Sequence, residues 1–158
     1  RVPVAQFQPD RTQRRIAKRN ADLVMNVAPA RRSEELFDLY ARYLGARHPD
    51  SPMAEPTHEE FDQFLIGDWS PTRFFEWRLD GRLVAVAVTD VTANALSAVY
   101  TFFDPAYENR SLGTQAILGQ IEWARTTARP HLYLGFWLKG HPKMDYKRRF
   151  QPLERLWN

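Results

Sequence analysis

An α+β fold, with a mixed, mostly antiparallel sheet flanked by helices, is predicted by three observations. Helix-period apolar stripes and strand-like runs are interspersed along the chain rather than segregated. Asp80-Gly81 stands between two strand-like runs and predicts a tight hairpin turn. A helical stretch opening at Ser111 lies between two further strand-like runs, Leu96 to Phe103 and His131 to Leu138.

In chain order, Asp10 is placed to cap a basic helix through Asn20, and Leu23 to Ala28 alternates like a strand. Ser33 opens a helix whose Leu36, Phe37, Leu39, Tyr40, Tyr43 and Leu44 make one apolar stripe. Pro49 to Pro56 reads as a loop, and Thr57-His58-Glu59-Glu60 is a capping-box pattern for a short helix carrying Phe61, Phe64 and Leu65. Strands follow at Arg73 to Leu79, Arg82 to Ala93 and Leu96 to Phe103, the last two joined by a turn at Asn94. Ser111 is expected to cap a helix to about Thr127, and Pro130 separates it from a buried strand, His131 to Leu138. A short helix near Pro142 to Arg148 and a strand near Leu153 to Trp157 complete the expected elements.

With 158 residues, 44% of them hydrophobic, the chain can fill one core and is too short for two ordinary domains. No apolar run approaches the roughly 20 residues of a membrane span, and no basic-then-apolar leader is present, so a soluble, cytoplasmic monomer without membrane partners is expected. There is no cysteine, and His48, His58, His131 and His141 lack ligand spacing; neither a metal nor a cofactor of its own is expected. The net charge is +3 but unevenly placed: Arg1 to Arg32 carries eight basic against two acidic residues, and Lys139 to Arg155 six against two. A basic front and tail around an acidic middle fit a polyanion gripped at two places, with tRNA an obvious candidate.

The element order resembles the N-acetyltransferase (GNAT, acyl-CoA N-acyltransferase) fold, in which the strands before and after the central helix splay apart and hold the acyl donor between them. The GNAT turn entering that helix reads Gln/Arg-x-x-Gly-x-Gly/Ala, and its amides cradle a pyrophosphate. Here it reads Arg110-Ser111-Leu112-Gly113-Thr114-Gln115, with Gln115 in place of the small third anchor, which fits an acyl donor other than acetyl-CoA.

More specific motifs run through the second half: Phe102-Phe103-Asp104-Pro105, Arg110-Ser111-Leu112-Gly113-Thr114, Tyr133-Leu134-Gly135-Phe136-Trp137, and Lys139-Gly140-His141-Pro142-Lys143-Met144-Asp145-Tyr146-Lys147. Together they resemble the aminoacyl-tRNA-protein transferases, over about Arg1 to Leu156, and within them the bacterial leucyltransferase branch more than the eukaryotic arginyltransferases. The resemblance implies transfer of leucine from leucyl-tRNA to the N-terminal amine of proteins beginning with Asp or Glu, tagging them for the N-degron pathway. It also implies that this single GNAT-like domain is the C-terminal part of a longer protein whose preceding module carries a Cys-x-x-Cys pattern.

For such a reaction the donor ester is already activated, so alignment, amine deprotonation and oxyanion stabilisation remain to be supplied. Asp104, just past a strand end, is the first candidate for a base or amine-positioning group, although Asp-Pro also commonly caps a turn; Tyr100, Tyr133 and Tyr146 are further polar candidates. The donor and tRNA are assigned to Arg14, Arg15 and Arg19, to Arg110, Ser111, Leu112, Gly113 and Thr114, and to Tyr133 and Trp137. Lys139, Lys143 and Lys147 match the family motif and are assigned to the acidic acceptor, Lys143 and Lys147 falling on one helical face. His141 is discounted as a base because the family often has cysteine there. An arginyl-tRNA donor, an acetyl-CoA-dependent N-acetyltransferase and a noncatalytic tRNA-binding module are the alternative readings.

Overall fold

The computed structural model describes residues 1–156. Six strands form one sheet: β1 (Val2–Pro3), β2 (Val24–Pro29), β3 (Thr72–Leu79), β4 (Arg82–Val91), β5 (Ala95–Phe103) and β6 (His131–Tyr133), in the order β1-β6-β5-β4-β3-β2. Every pairing is antiparallel except β5 with β6, and that parallel pair is bridged by a helix, as a parallel crossover requires. Asp80 and Gly81 both adopt positive φ, 48° and 82°, the turn geometry that matches strand twist, and so β3 and β4 form the predicted hairpin. β4 is central and buried from Leu83 to Thr89, whereas edge strand β2 alternates and leaves Val24 68% exposed.

The helices are α1 (Arg11–Arg19), α2 (Glu34–Arg47), α3 (His58–Leu65) and α4 (Leu112–Thr126). The local cap signals act as the sequence predicts. Asp10 and Gln13 form a capping box on α1, Ser33 accepts from the Leu36 amide at 3.2 Å, and Thr57 and Glu60 form a capping box on α3. One face of the sheet packs Phe75, Trp77, Ala85 and Ala87 against Ala116, Ile117 and Ile121 of α4, and α1 lies against α4. The other face packs Phe74, Val86, Val88 and Phe102 against Leu36, Leu39, Tyr40 and Tyr43 of α2 and Phe61 and Leu65 of α3.

Three expectations change. The strand at His131 to Leu138 stops at Tyr133, because Gly135 turns to φ 79° and leaves the extended region. The tail helix is a short 3₁₀ turn, Asp145–Arg149, preceded by turns. No strand forms at 153–156 of the proposed last strand, and Trp157 lies outside the described residues. In its place β1 supplies the far edge: Val2 and Pro3 pair with Leu132 and His131, and the Glu154 amide donates to the Arg1 carbonyl at 2.9 Å.

Candidate functional site

The pairing of β5 with β6 lasts only from Ala95 to Ser97, opposite His131 to Tyr133, and β5 then continues alone on that side to Phe103. On its other side the register with β4 slips, Thr89 facing Ala98 and Val88 facing Tyr100, which makes Val99 the extra residue of a bulge. A splayed gap therefore opens beside 98–103, as the acyltransferase resemblance requires.

α4 follows β5 after a short 3₁₀ turn, Pro105–Arg110. Ser111 does not cap it with its side chain; the residue sits at φ 54°, left-handed, with no side-chain cap bond, so the expected cap is corrected. The first-turn amides of α4 consequently keep no side-chain partner from Ser111, which is the arrangement of an anion-accepting helix start. A Cβ built on Gly113 would meet nothing within 4 Å, so this glycine faces open space and is not there for close packing. Leu112 is buried in the core and can offer only its backbone. Thr114 faces a crevice of about 300 Å³ whose other walls are Asp10, Thr12, Gln13 and Ile16 of the α1 end and Tyr146, Arg149 and Phe150 of the tail. Gln13, itself buried, closes that crevice by donating from Nε2 to the Arg149 carbonyl at 3.0 Å.

Tyr146 connects the crevice to a second group of phenols. Tyr100 and Tyr43 pack edge to face with ring centroids 6.2 Å apart. Burial, and after it the Tyr43 phenol, push the Tyr146 hydroxyl above its ordinary pKa; burial with Tyr43 and Tyr40 pushes Tyr100 further up still. These hydroxyls stay protonated near neutrality and are hydrogen-bond donors, not bases. Phe64 of α3 is 56% exposed and rests edge-on against Tyr100 at 5.2 Å.

Asp104 is 1% exposed and fully engaged. Its carboxylate accepts from Arg42 Nη1 at 2.7 Å, Arg82 Nη2 at 3.2 Å and the Ala106 amide at 3.0 Å. Burial pushes its pKa up, but the Arg42 and Ala106 hydrogen bonds and the charges of Arg42 and Arg82 outweigh burial and leave it below the usual carboxylate range. A carboxylate held ionised with its oxygens occupied is a poor proton acceptor, so the geometry gives Asp104 the anchoring of the turn into α4 rather than the role of base.

The remaining predicted residues divide. Arg14, Arg15 and Arg19 lie exposed on α1, with Arg14 bonded to the Pro9 carbonyl at 2.7 Å and Arg19 to the Asn109 carbonyl at 2.5 Å. Arg110 turns away from the α4 start to pair with Asp22 at 2.8 Å. Tyr133 lies apart from the crevice walls, accepting from Arg1 Nη1 at 3.0 Å beside the Arg1–Glu154 pair. Trp137 lies under the Arg155 guanidinium, 3.9 Å from its ring centroid, and its Nε1 is buried without a hydrogen-bond partner among the described residues.

Lys139 and Lys143 are exposed, but Lys147 is buried. Its ammonium donates to the Phe136 carbonyl, and desolvation lowers its pKa. Lys143 precedes the 3₁₀ turn, so the shared helical face expected for Lys143 and Lys147 does not exist. The sequence reading counted Tyr43 only as part of an apolar stripe, gave Gln13 and Arg149 no role in the site, and passed over Arg42. Only the hydroxyl carried by an otherwise apolar stripe position marked Tyr43.

Among the described residues no group of three or more histidine, cysteine, aspartate or glutamate side chains could hold a metal ion, and no helix is long and apolar enough to cross a membrane. Solved structures share the fold. The structure of L-PGS from Bacillus licheniformis superposes with a TM-score of 0.72 at 12% identity, covering 96% of this chain and 55% of that one. The ribosomal-protein-alanine N-acetyltransferase of Brucella melitensis superposes with a TM-score of 0.61 at 15% identity, covering 86% of this chain and 93% of that one. The architecture is thus GNAT-like.

By sequence, this chain is 59% identical to an aspartate/glutamate leucyltransferase of Stenotrophomonas maltophilia and 58% identical to one of Xanthomonas euvesicatoria, each match covering 98% of this chain and 64% of the relative. It therefore spans about two thirds of the length of these relatives. The family model described as arginine-tRNA-protein transferase, C terminus, matches residues 35–157, which include both splayed strands, the start of α4 and Tyr146. The chain that builds this splayed, tyrosine-lined gap thus belongs to the arginine-tRNA-protein transferase family, in its C-terminal region.

Proposed function

We propose that this chain is the transfer domain of a leucyltransferase, moving leucine from leucyl-tRNA to the N-terminal amine of proteins that begin with Asp or Glu. The observation that carries the geometric part is the position of Tyr146, which borders both the crevice at the α4 start and the phenols at the open edge of β5. The choice of leucine over arginine rests on the curated relatives at 58–59% identity.

In this reading the terminal adenosine and last phosphates of the tRNA take the open side of Gly113 and Thr114, while basic α1 follows the acceptor stem. The neutral amine attacks the ester carbonyl, a C–N bond forms, the C–O bond to the ribose breaks, and the proton that the amine loses ends on the departing ribose oxygen. An α-amine has a pKa of about 8, so a usable neutral fraction exists at physiological pH without a strong base. Tyr100 and Tyr146, both protonated near neutrality, supply O–H donors for the oxyanion or for the departing ribose oxygen. Asp104 is a positioning residue, and Lys147 fixes the 134–140 segment through Phe136. The protein acts in the cytoplasm, and its product enters the N-degron protease pathway. A module preceding this chain, corresponding to the remaining length of the relatives, assists recognition of the acceptor.

The test is transfer of radiolabelled leucine from leucyl-tRNA, with arginyl-tRNA in parallel, to peptides beginning Asp, Glu or Ala. It uses both this chain and a form extended to the length of its relatives. Leucine transfer to Asp and Glu peptides alone is expected. If neither form transfers either amino acid, the reading falls, and binding of coenzyme A or of uncharged tRNA then separates an acetyltransferase from a noncatalytic module.

A further inference from the structure

Two of the three lysines assigned to the acidic acceptor sit in the exposed 139–143 segment, and the third is consumed by a backbone carbonyl, which leaves open what recognises the acceptor's carboxylate. Arg47, in the last turn of α2, meets the requirements. Its guanidinium lies over the Tyr43 ring at 5.1 Å and the Phe103 ring at 5.7 Å, which holds it beside the end of β5. The side chain is exposed, and among the described residues no carboxylate lies within ion-pair distance of it. Stacking holds the faces of a guanidinium and leaves its N–H edge for a bidentate carboxylate.

Its surroundings agree. Tyr43, beneath the guanidinium, packs edge to face on Tyr100 at the open edge of β5 with ring centroids 6.2 Å apart, and the Tyr43 phenol is close enough to perturb Tyr146, which borders the donor crevice. The side-chain carboxylate of Asp or Glu is only a few bonds from the α-amine that must reach the ester, so its reader has to stand beside the phenols. The Arg42–Asp104 ion pair clamps α2 one turn earlier to the residue that follows Phe103, and so holds Arg47 in register with the end of β5.

We propose that Arg47 binds the side-chain carboxylate of the acceptor's first residue and so sets the requirement for Asp or Glu. This rests on the leucyltransferase reading, and two measurements separate the fates of the two ideas. In the extended form, Arg47→Gln should lower kcat/KM for a Glu-initiated peptide by roughly 30-fold and abolish its advantage over the matching Gln-initiated peptide. Arg47→Lys should restore part of that advantage, and leucyl-tRNA affinity should be unchanged in both variants. Independently, a Glu-initiated but not a Gln-initiated peptide should shift the Arg47 Nε–Hε resonance of the unsubstituted protein. An active Arg47→Gln variant that still prefers Glu over Gln overturns the inference and leaves the transferase reading intact. Arg47-dependent peptide binding without any transfer sinks the leucyltransferase reading and keeps the carboxylate site. Absence of both binding and transfer overturns the two together.

Discussion

Asp104 illustrates how much a single residue's role depends on partners that its own neighbourhood in sequence cannot reveal. Its Asp-Pro context was readable as a turn cap, and the Ala106 amide bond bears that out. Arg42 and Arg82, 62 and 22 residues away, were not readable, and they convert a candidate base into a buried ionic anchor. Because its folded pKa is depressed, Asp104 contributes stability at pH values above its unfolded pKa, and the contribution is lost as pH falls through the lower folded value. Asp104→Asn should therefore cost about 2–3 kcal/mol near pH 7, where it removes the partner of two arginines, and much less in strong acid. Urea unfolding of both proteins at pH 7 and pH 3 measures the difference; an equal cost at the two pH values would assign the loss to packing alone. Lys147 carries the same lesson, since a motif lysine on a basic tail gives no sign that its ammonium will be drawn inside against the Phe136 carbonyl.

At the scale of elements, those defined by local chemistry were legible and those defined by remote contacts were not. The caps of α1, α2 and α3 and the Asp80-Gly81 hairpin depend on side chains within a few residues of one another, and all four form where expected. The two-residue strand β1 exists because Leu132 is there to pair with it, and β6 is short because Gly135 diverts the chain. Helix α4 was placed from Ser111 and the break at Pro130, but its seat on the sheet was not visible. A Cβ on Gly119 would stand 2.6 Å from Cζ2 of Trp77, which is 2% exposed, so the ring would have to shift. Gly119→Ala should accordingly lower stability by about 1–2 kcal/mol despite the better helix propensity of alanine, read as a lower urea midpoint with an unchanged slope. A rise in midpoint would mean that Trp77 repacks freely.

For the whole molecule, the uneven charge seen in the sequence acquires a geometry: basic α1 and the basic tail meet across the crevice, joined by the Gln13–Arg149 bond. Two stretches more than a hundred residues apart thus share one rim, with Arg149 the basic residue among its walls. Replacing Arg14 and Arg15 together with alanine should weaken tRNA binding and reduce the slope of log affinity against log salt by about 1.5, measured by filter binding over a range of salt. An unchanged slope would remove α1 from the tRNA interface. The same chain order that assembles this rim also governs when it can exist. β3, β4 and β5 are consecutive and pair through short turns, whereas β1 must find β6 across nearly the whole length of the chain. Closing so long a loop is entropically costly, so the meander forms a stable nucleus first and the β6–β1 edge docks last. By the same reckoning that edge, on the splayed side of the sheet where the proposed function brings the tRNA end, should open before the β3–β5 meander does when the native protein fluctuates.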